Sequence, residues 1–424
     1  MERHALPMTI TEKILARHSG NRSVRPGDLV EVEVDLALAN DITAPLAIRV
    51  FHELEAERVF DPEKVVLVQD HFVPNKDIAS AAQVKMMAEF AEALGISHYF
   101  DLGEAGIEHV ILPERGLVVP GDLVIGADSH TCTYGALGAF AAGVGSTDLG
   151  VIWATGKTWL RVPETILLVF EGQRPRWVGG KDYILSVIGR LGVDGASYKA
   201  LEFRGGALEG LPMHHRFTMA NMAVEAGAKN GIFHADAVAR DYVREHASRS
   251  GELFKSDDEA RYLRVEHFDV SDMEPQVALP NSPDNVAPIS AVDPVRLDQV
   301  FIGSCTNGRL GDLREAFEVL KDRKVARGTR LIMIPGSPRV YLEAVREGMV
   351  EGFLKAGAVL GPPCCGPCLG GHMGVLGRGE TALSTTNRNF VGRMGHTESR
   401  VYLANPAVAA ASAVLGRIGS PAEL

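Results

Sequence analysis

No stretch of this chain approaches the roughly 18 consecutive apolar residues that a membrane-crossing helix needs, so no membrane partner is expected. Its most apolar short run, residues 407–415, is rich in alanine and reads as a packed helix. Basic blocks are equally scarce. With 43 Lys and Arg against 54 Asp and Glu, the formal net charge is −11. Nucleic acid is therefore not an expected partner, and an anionic substrate needs arginines placed locally. Cysteine is rare, five in 424 residues, and three of the five crowd into residues 364–368. A secreted disulfide framework spreads its cysteines, so this pattern points to a reducing, cytoplasmic setting and to metal. The first twenty residues are charged and lack an apolar core; no signal peptide is expected, and Met8 is as good a start as Met1. Glycine is plentiful, yet no G-x-G-x-x-G follows a predicted strand. The glycines of residues 135–145 read as close-packing positions rather than a phosphate cradle.

What is present centres on residues 361–371, GPPCCGPCLGG. Proline lacks a donor and glycine carries a high backbone entropy, so such a loop needs something other than ordinary packing to order it. A metal is the economical answer. Cys305 lies in FIGSCTNGRL, just after the apolar run 299–302, which reads as a buried strand. If both loops leave the carboxyl ends of parallel strands, Cys305 meets Cys365 and Cys368. Three cysteines leave one coordination position open. The alternatives are a closed zinc site completed by His372, a set of buried unliganded thiols, and thiol–disulfide exchange at Cys-Gly-Pro-Cys.

Length and a 46% hydrophobic content suit two to four domains. Residues 1–162 form the first expected domain. It has a strand at 29–38, a helix at 41–58 and a strand at 65–69 that ends on Asp70 and His71. A helix at 79–94 and a short strand at 98–102 follow, and His109 stands among apolar residues, where a lone histidine is usually a satisfied core group. A further strand, 123–125, feeds Asp128, Ser129 and His130, and a helix is expected at 147–160. Two Asp/His pairs at strand ends suit proton transfer near neutral pH, because a carboxylate holds each imidazole in place. Cys132 reads as a buried thiol.

The second expected domain, 163–290, carries strands at 165–170 and 200–204 and a helix at 217–228. Asn221 and Glu225, four apart, share a face of that helix, as a solvated pair also does. Residues 273–288, MEPQVALPNSPDNVAP, read as a linker. The third, 291–424, alternates strand and helix in a doubly wound α/β pattern. It ends in STTNRNFVGR, which offers Asn387, Arg388 and Arg393 as carboxylate binders or as solvated surface.

Taken together, VQDHFVP, GADSHTCTYGALGAF, IGSCTNGR, CGPCLG and STTNRNFVGR resemble the aconitase/isopropylmalate isomerase family over nearly the whole chain. The resemblance implies three doubly wound α/β domains around a central [4Fe-4S] cluster held by Cys305, Cys365 and Cys368. The fourth iron, free of protein ligands, takes the substrate hydroxyl and carboxylate. Asp70, His71, His109, Asp128, Ser129, His130 and Glu225 then serve proton transfer and iron-bound water. Asn221, Asn387, Arg388 and Arg393 serve the substrate. The implied reaction is dehydration and rehydration of a small hydroxy-dicarboxylic acid. 3-Isopropylmalate in leucine synthesis is the first choice and homoaconitate in lysine synthesis the alternative. A noncatalytic, metal-stabilised binding protein is the reading from another class. The family's fourth, swivel domain is not matched here, so its serine base and further arginines are expected on a separate small subunit. Two positions depart from the family pattern: Pro45, where single-chain members carry glutamine, and Cys364, where glycine is usual.

Overall fold

The computed structural model describes residues 6–424; Met1, one of the two candidate starts, lies outside the described residues. Short runs of β-branched and aliphatic residues make the central strands. Val65–Val68 and Leu123–Gly126 are buried at every position, as strands covered by helices on both faces must be. Between such strands the helices start and stop on local signals. Asp77, for instance, accepts from the Ser80 N–H at 2.7 Å to open Ile78–Leu94, and Gly95, in the left-handed region at φ 63°, closes it.

Among the described residues the strands form three sheets built mainly of parallel pairs, and one two-stranded ribbon. The five-stranded sheet runs His98–Phe100, Val65–Val68, Leu36–Asn40, Leu123–Gly126, Phe140–Gly143, all parallel. The four-stranded sheet runs Asn230–Phe233, Ala200–Arg204, Thr165–Glu171, Arg264–Asp269, again all parallel. In the seven-stranded sheet a parallel set runs Arg400–Leu403, Thr381–Ser384, Gln299–Ile302, Arg330–Met333, Val359–Leu360. An antiparallel pair, Gln276–Ala278 and Val286–Pro288, extends its edge.

All three sheets share one winding. In the parallel set of each, the first strand is inside, the next two step outward on one side, and the chain then returns to add one or two strands on the other. The loops at that reversal splay apart beyond the carboxyl ends of the strands and leave a crevice. In the first sheet these loops carry Asp41 and Asp128; in the third they carry Cys305 and Asn387.

Several expected elements are redrawn. The strand expected at 29–38 is two strands. They break at Asp35, whose carboxylate accepts from the Leu123 N–H at 3.0 Å and contacts His18 Nε2 at 2.6 Å. Leu29–Glu33 leaves the sheet and pairs antiparallel with Lys157–Arg161. The helix expected at 147–160 accordingly ends at Thr155, where Gly156 turns left-handed at φ 71° and releases the chain into that ribbon. The expected 217–228 helix runs instead over Met213–Asn221 and tightens to a 3-10 turn over Met222–Ala226. The stretch read as a linker supplies the antiparallel edge pair of the third sheet, because its consecutive Val277 and Ala278 are both buried there, in different core clusters. Pro406–Leu415 is the packed helix its alanines suggest. No helix among the described residues is long and apolar enough to cross a membrane.

Candidate active site between the sheets

A crevice of about 260 Å³ opens where the first and third sheets face each other. Cys305, Cys365 and Cys368 line one wall; Asp70, His71, His109, Asp128 and His130 line the other. Ser129 stands exposed at the mouth, and Asn387, Arg388 and Arg393 also line the crevice.

The cysteine wall is built by backbone strain and by cross-links between loops. Gly303 and Ser304 both hold positive φ, 156° and 74°, an unusual setting for serine that turns the chain sharply out of Gln299–Ile302. The Ser304 hydroxyl lies 3.7 Å from both Cys305 Sγ and Cys368 Sγ, and Asn387 Nδ2 lies 3.2 Å from Cys305 Sγ. Cys365 N–H donates to the Asp70 carbonyl at 2.8 Å, which ties the cysteine loop to the Asp/His loop. All three thiols are buried and unpaired. Burial and the neighbouring Cys368 push the Cys305 thiol up to about 12; burial and Asp70 hold Cys365 well above its ordinary value. Without a cation Cys305 and Cys365 stay protonated and inert, which runs against the thiol–disulfide exchange reading.

On the facing wall Asp41 organises the first loop. Its carboxylate accepts from the N–H groups of Asp70 (3.1 Å), His71 (2.9 Å) and Phe72 (2.8 Å). Asp70 and His71 form a tight ion pair through Asp70 Oδ1 and His71 Nδ1. Burial raises Asp70 to about 6. Burial also opposes charge on His71, but the Asp70 carboxylate outweighs it and raises His71 to about 10. Near neutral pH the proton therefore resides on the imidazole.

His109 behaves oppositely. Burial pushes it down, so it is neutral; its Nε2 is 3.0 Å from Asp128 Oδ1 and its Nδ1 is 3.0 Å from the Tyr134 hydroxyl. A neutral ring so placed donates from Nε2 to Asp128 and accepts from the Tyr134 O–H, a tautomer assigned from the network. Asp128 also accepts from the His130 N–H at 2.7 Å, and although burial opposes its charge, the histidine hydrogen bonds hold it well below the usual carboxylate range.

Asn221 and Glu225 stand just behind the lining. His130 Nε2 is 2.7 Å from Glu225 Oε1, and Arg388 Nε donates to both Glu225 oxygens at 2.9 Å. Asn221 Oδ1 accepts from Asn387 Nδ2 at 3.3 Å. The structure thus brings every predicted site residue into one constellation. Arg393 Nε is buried with no hydrogen-bond partner, a donor ready for an anion.

Four contributors escaped the sequence reading: Asp41, Lys181, Arg309 and Glu108, which lines the crevice next to His109. Asp41 follows a strand just as Asp70 does, and the same positional argument finds it. Buried Lys181 donates to the carbonyls of Thr385 (2.8 Å) and Thr386 (2.6 Å), bracing the loop that carries Asn387 and Arg388. Buried Arg309 bridges the Cys305 carbonyl (2.8 Å) and the His109 carbonyl (3.0 Å), and so joins the two walls. The remaining cysteines sit elsewhere. Cys132 contacts the Asn221 carbonyl at 3.3 Å, and Cys364 faces His372 Nδ1 at 4.0 Å; neither lines the crevice. His372 does not line it either; its Nε2 contacts the Pro74 carbonyl at 3.1 Å, so it does not complete the cysteine trio.

Residues 12–296 and 291–416 match the profile of the Aconitase family (aconitate hydratase). The chain belongs to the aconitase family. It is 60% identical to the 3-isopropylmalate dehydratase large subunit of Moorella thermoacetica, over 98% of this chain and 99% of that one. It is 57% identical to the large subunit of Thermodesulfovibrio yellowstonii and 59% identical to large subunit 1 of Pyrococcus abyssi, each over 98% of this chain and 99% of the relative. Among solved structures, the holo form of Thermococcus kodakaraensis aconitase X shares the fold. Its TM-score is 0.51 at 13% identity, with 87% of each chain covered.

Proposed function

We propose that this chain is the cluster-bearing large subunit of 3-isopropylmalate dehydratase, a cytoplasmic hydro-lyase that interconverts 2- and 3-isopropylmalate in leucine biosynthesis together with a separate small subunit. The observation that carries the reading is the three-thiol wall facing a proton-transfer wall, in a chain alike from end to end to large subunits of that name.

The donor set fits an iron–sulfur cluster. Three buried thiols, none in a disulfide, gain a reason to converge once iron is bound, and neither Cys364 nor His372 lines the crevice to close the shell. Cys305, Cys365 and Cys368 hold it. When bound, the cluster supplies Lewis acidity at an iron without a protein ligand.

Protein groups do the rest. Arg388, its Nε fixed by Glu225, and Arg393, with its free Nε, grip substrate carboxylates, and Asn387 orients beside them. His71 carries a proton at neutral pH within the crevice, and the neutral His109, poised between Tyr134 and Asp128, passes protons to and from the departing hydroxyl. The base for the C–H and the remaining carboxylate contacts come from the small subunit, so this chain alone turns over slowly.

Anaerobic reconstitution with iron, sulfide and the small subunit tests the reading. A brown protein with broad absorbance near about 400 nm is expected, turning over 3-isopropylmalate faster than homocitrate. Faster homocitrate turnover, or a colourless zinc protein, rejects it.

A further inference from the structure

Outside the crevice, two consecutive histidines open the helix Met213–Asn221 and converge on a carboxylate of the helix Leu310–Leu320. His214 Nε2 is 3.3 Å and His215 Nε2 3.1 Å from the same Glu315 oxygen, Oε1. Neighbours in a helix point about 100° apart, so this convergence needs room. Glycines supply it on both sides. A Cβ at Gly311 would stand 2.3 Å from His214 Nδ1, and one at Gly179 2.5 Å from His215 Cε1.

The arrangement lacks a proton for every contact. The two rings lie 4.1 Å apart between centroids. Arg174 Nη1 is 3.0 Å from His215 Nε2, and a guanidinium only donates, so that nitrogen presents a lone pair. A lone pair 3.1 Å from a carboxylate oxygen calls for a cation between them. Exposed Arg174 supplies positive charge only from the side.

We propose that His214, His215 and Glu315 form a second metal site for a divalent ion of the zinc class, independent of the proposed reaction, with Arg174 standing in until the ion arrives. A tetrahedral ion with bonds of about 2.0–2.1 Å has ligand–ligand edges of about 3.3–3.4 Å, close to the two contacts seen. All three ligand atoms lie within 4.8 Å of one another. Cavities of about 360 and 580 Å³ meet at Glu315, and they leave a path for the ion and a fourth position for water. The bound ion ties a helix of the second sheet's segment to one of the third's.

Cobalt(II) added anaerobically to the cluster-loaded full chain tests the site, because thiolate ligation gives sulfur charge-transfer absorption and imidazole–carboxylate ligation does not. One equivalent without sulfur character is expected per chain. It should weaken at least about tenfold in His215→Gln and Glu315→Gln, each checked for an unchanged circular dichroism spectrum, and tighten about tenfold in Arg174→Ala, which removes a competing positive charge. The last change runs opposite to damage. Sulfur-free binding that is absent from wild type and Arg174→Ala alike, or that survives Glu315→Gln at full strength, overturns the proposal.

Discussion

Asp41→Ala should loosen one loop and leave the sheet beneath it intact. The Asp41 side chain is 1% exposed and takes three backbone N–H groups at 2.8–3.1 Å, those of Asp70, His71 and Phe72. Hydrogen bonds to a charged group are worth about 1.5–3 kcal/mol each when buried. His71 and Phe72 are only half-buried, so water recovers part of that, and a total near about 3 kcal/mol of local stability is the working figure. In hydrogen exchange this corresponds to amides 70–72 opening roughly two decades faster. Asp41→Asn keeps one acceptor oxygen but aims an amide N–H₂ at a donor, so about one decade is expected. Mass-spectrometric exchange of peptides spanning 69–74, with the strand Leu36–Asn40 as internal control, makes the measurement. Equal protection in the alanine variant, or loss spread evenly over the five-stranded sheet, refutes the reasoning. Because Cys365 N–H hangs on the Asp70 carbonyl, the variant should also hold iron less well.

Three further outcomes follow from named contacts. Glu225→Gln removes the charge that His130 and Arg388 share; burial opposes that charge and the two partners favour it, so turnover should fall about 10²-fold without loss of fold, read by steady-state kinetics of the reconstituted pair. Lys181→Met leaves the Thr385 and Thr386 carbonyls without their donor, and the substrate KM should rise several-fold more than kcat falls. The third concerns pH. Burial disfavours charge on His18, but the hydrogen bond it donates to Asp35 wins and raises it above 6.5. Its stabilisation is therefore full below about 6.5 and lost as pH climbs through the raised value. Asp35 is shifted down, so its share persists above about 3.8 and fades only as pH falls through the lowered value. Thermal melts should show wild type losing about 1 kcal/mol between pH 6 and 8.5 relative to His18→Gln; parallel curves contradict this.

The constellation was legible in the sequence because its members sit where strands end. Asp70, Asp128 and Cys305 each follow an apolar run of about four residues, and a chain that alternates such runs with helices must gather those ends on one side of each sheet. Tertiary supports were not legible. Nothing local marks Lys181 or Arg309 as buried, since only the approach of distant carbonyls makes burial of either cation tolerable. The helix expected to bear both Asn221 and Glu225 ends at Asn221 instead, because apolar periodicity continues through a 3-10 turn that side-chain pattern alone does not reveal. The linker reading of 273–288 failed for a related reason: its prolines and asparagines flank an edge pair, the one place in a sheet where proline is at home.

Mössbauer spectroscopy of the anaerobically reconstituted ⁵⁷Fe protein distinguishes a cluster with one open iron from a closed one. Adding 3-isopropylmalate should shift the signal of one iron in four, leaving three unchanged, and Cys364→Ser should give the same spectra. Four irons that ignore the substrate, or a distinct iron that vanishes in Cys364→Ser, would mean that a side chain of this protein closes the cluster and leaves no iron open to substrate.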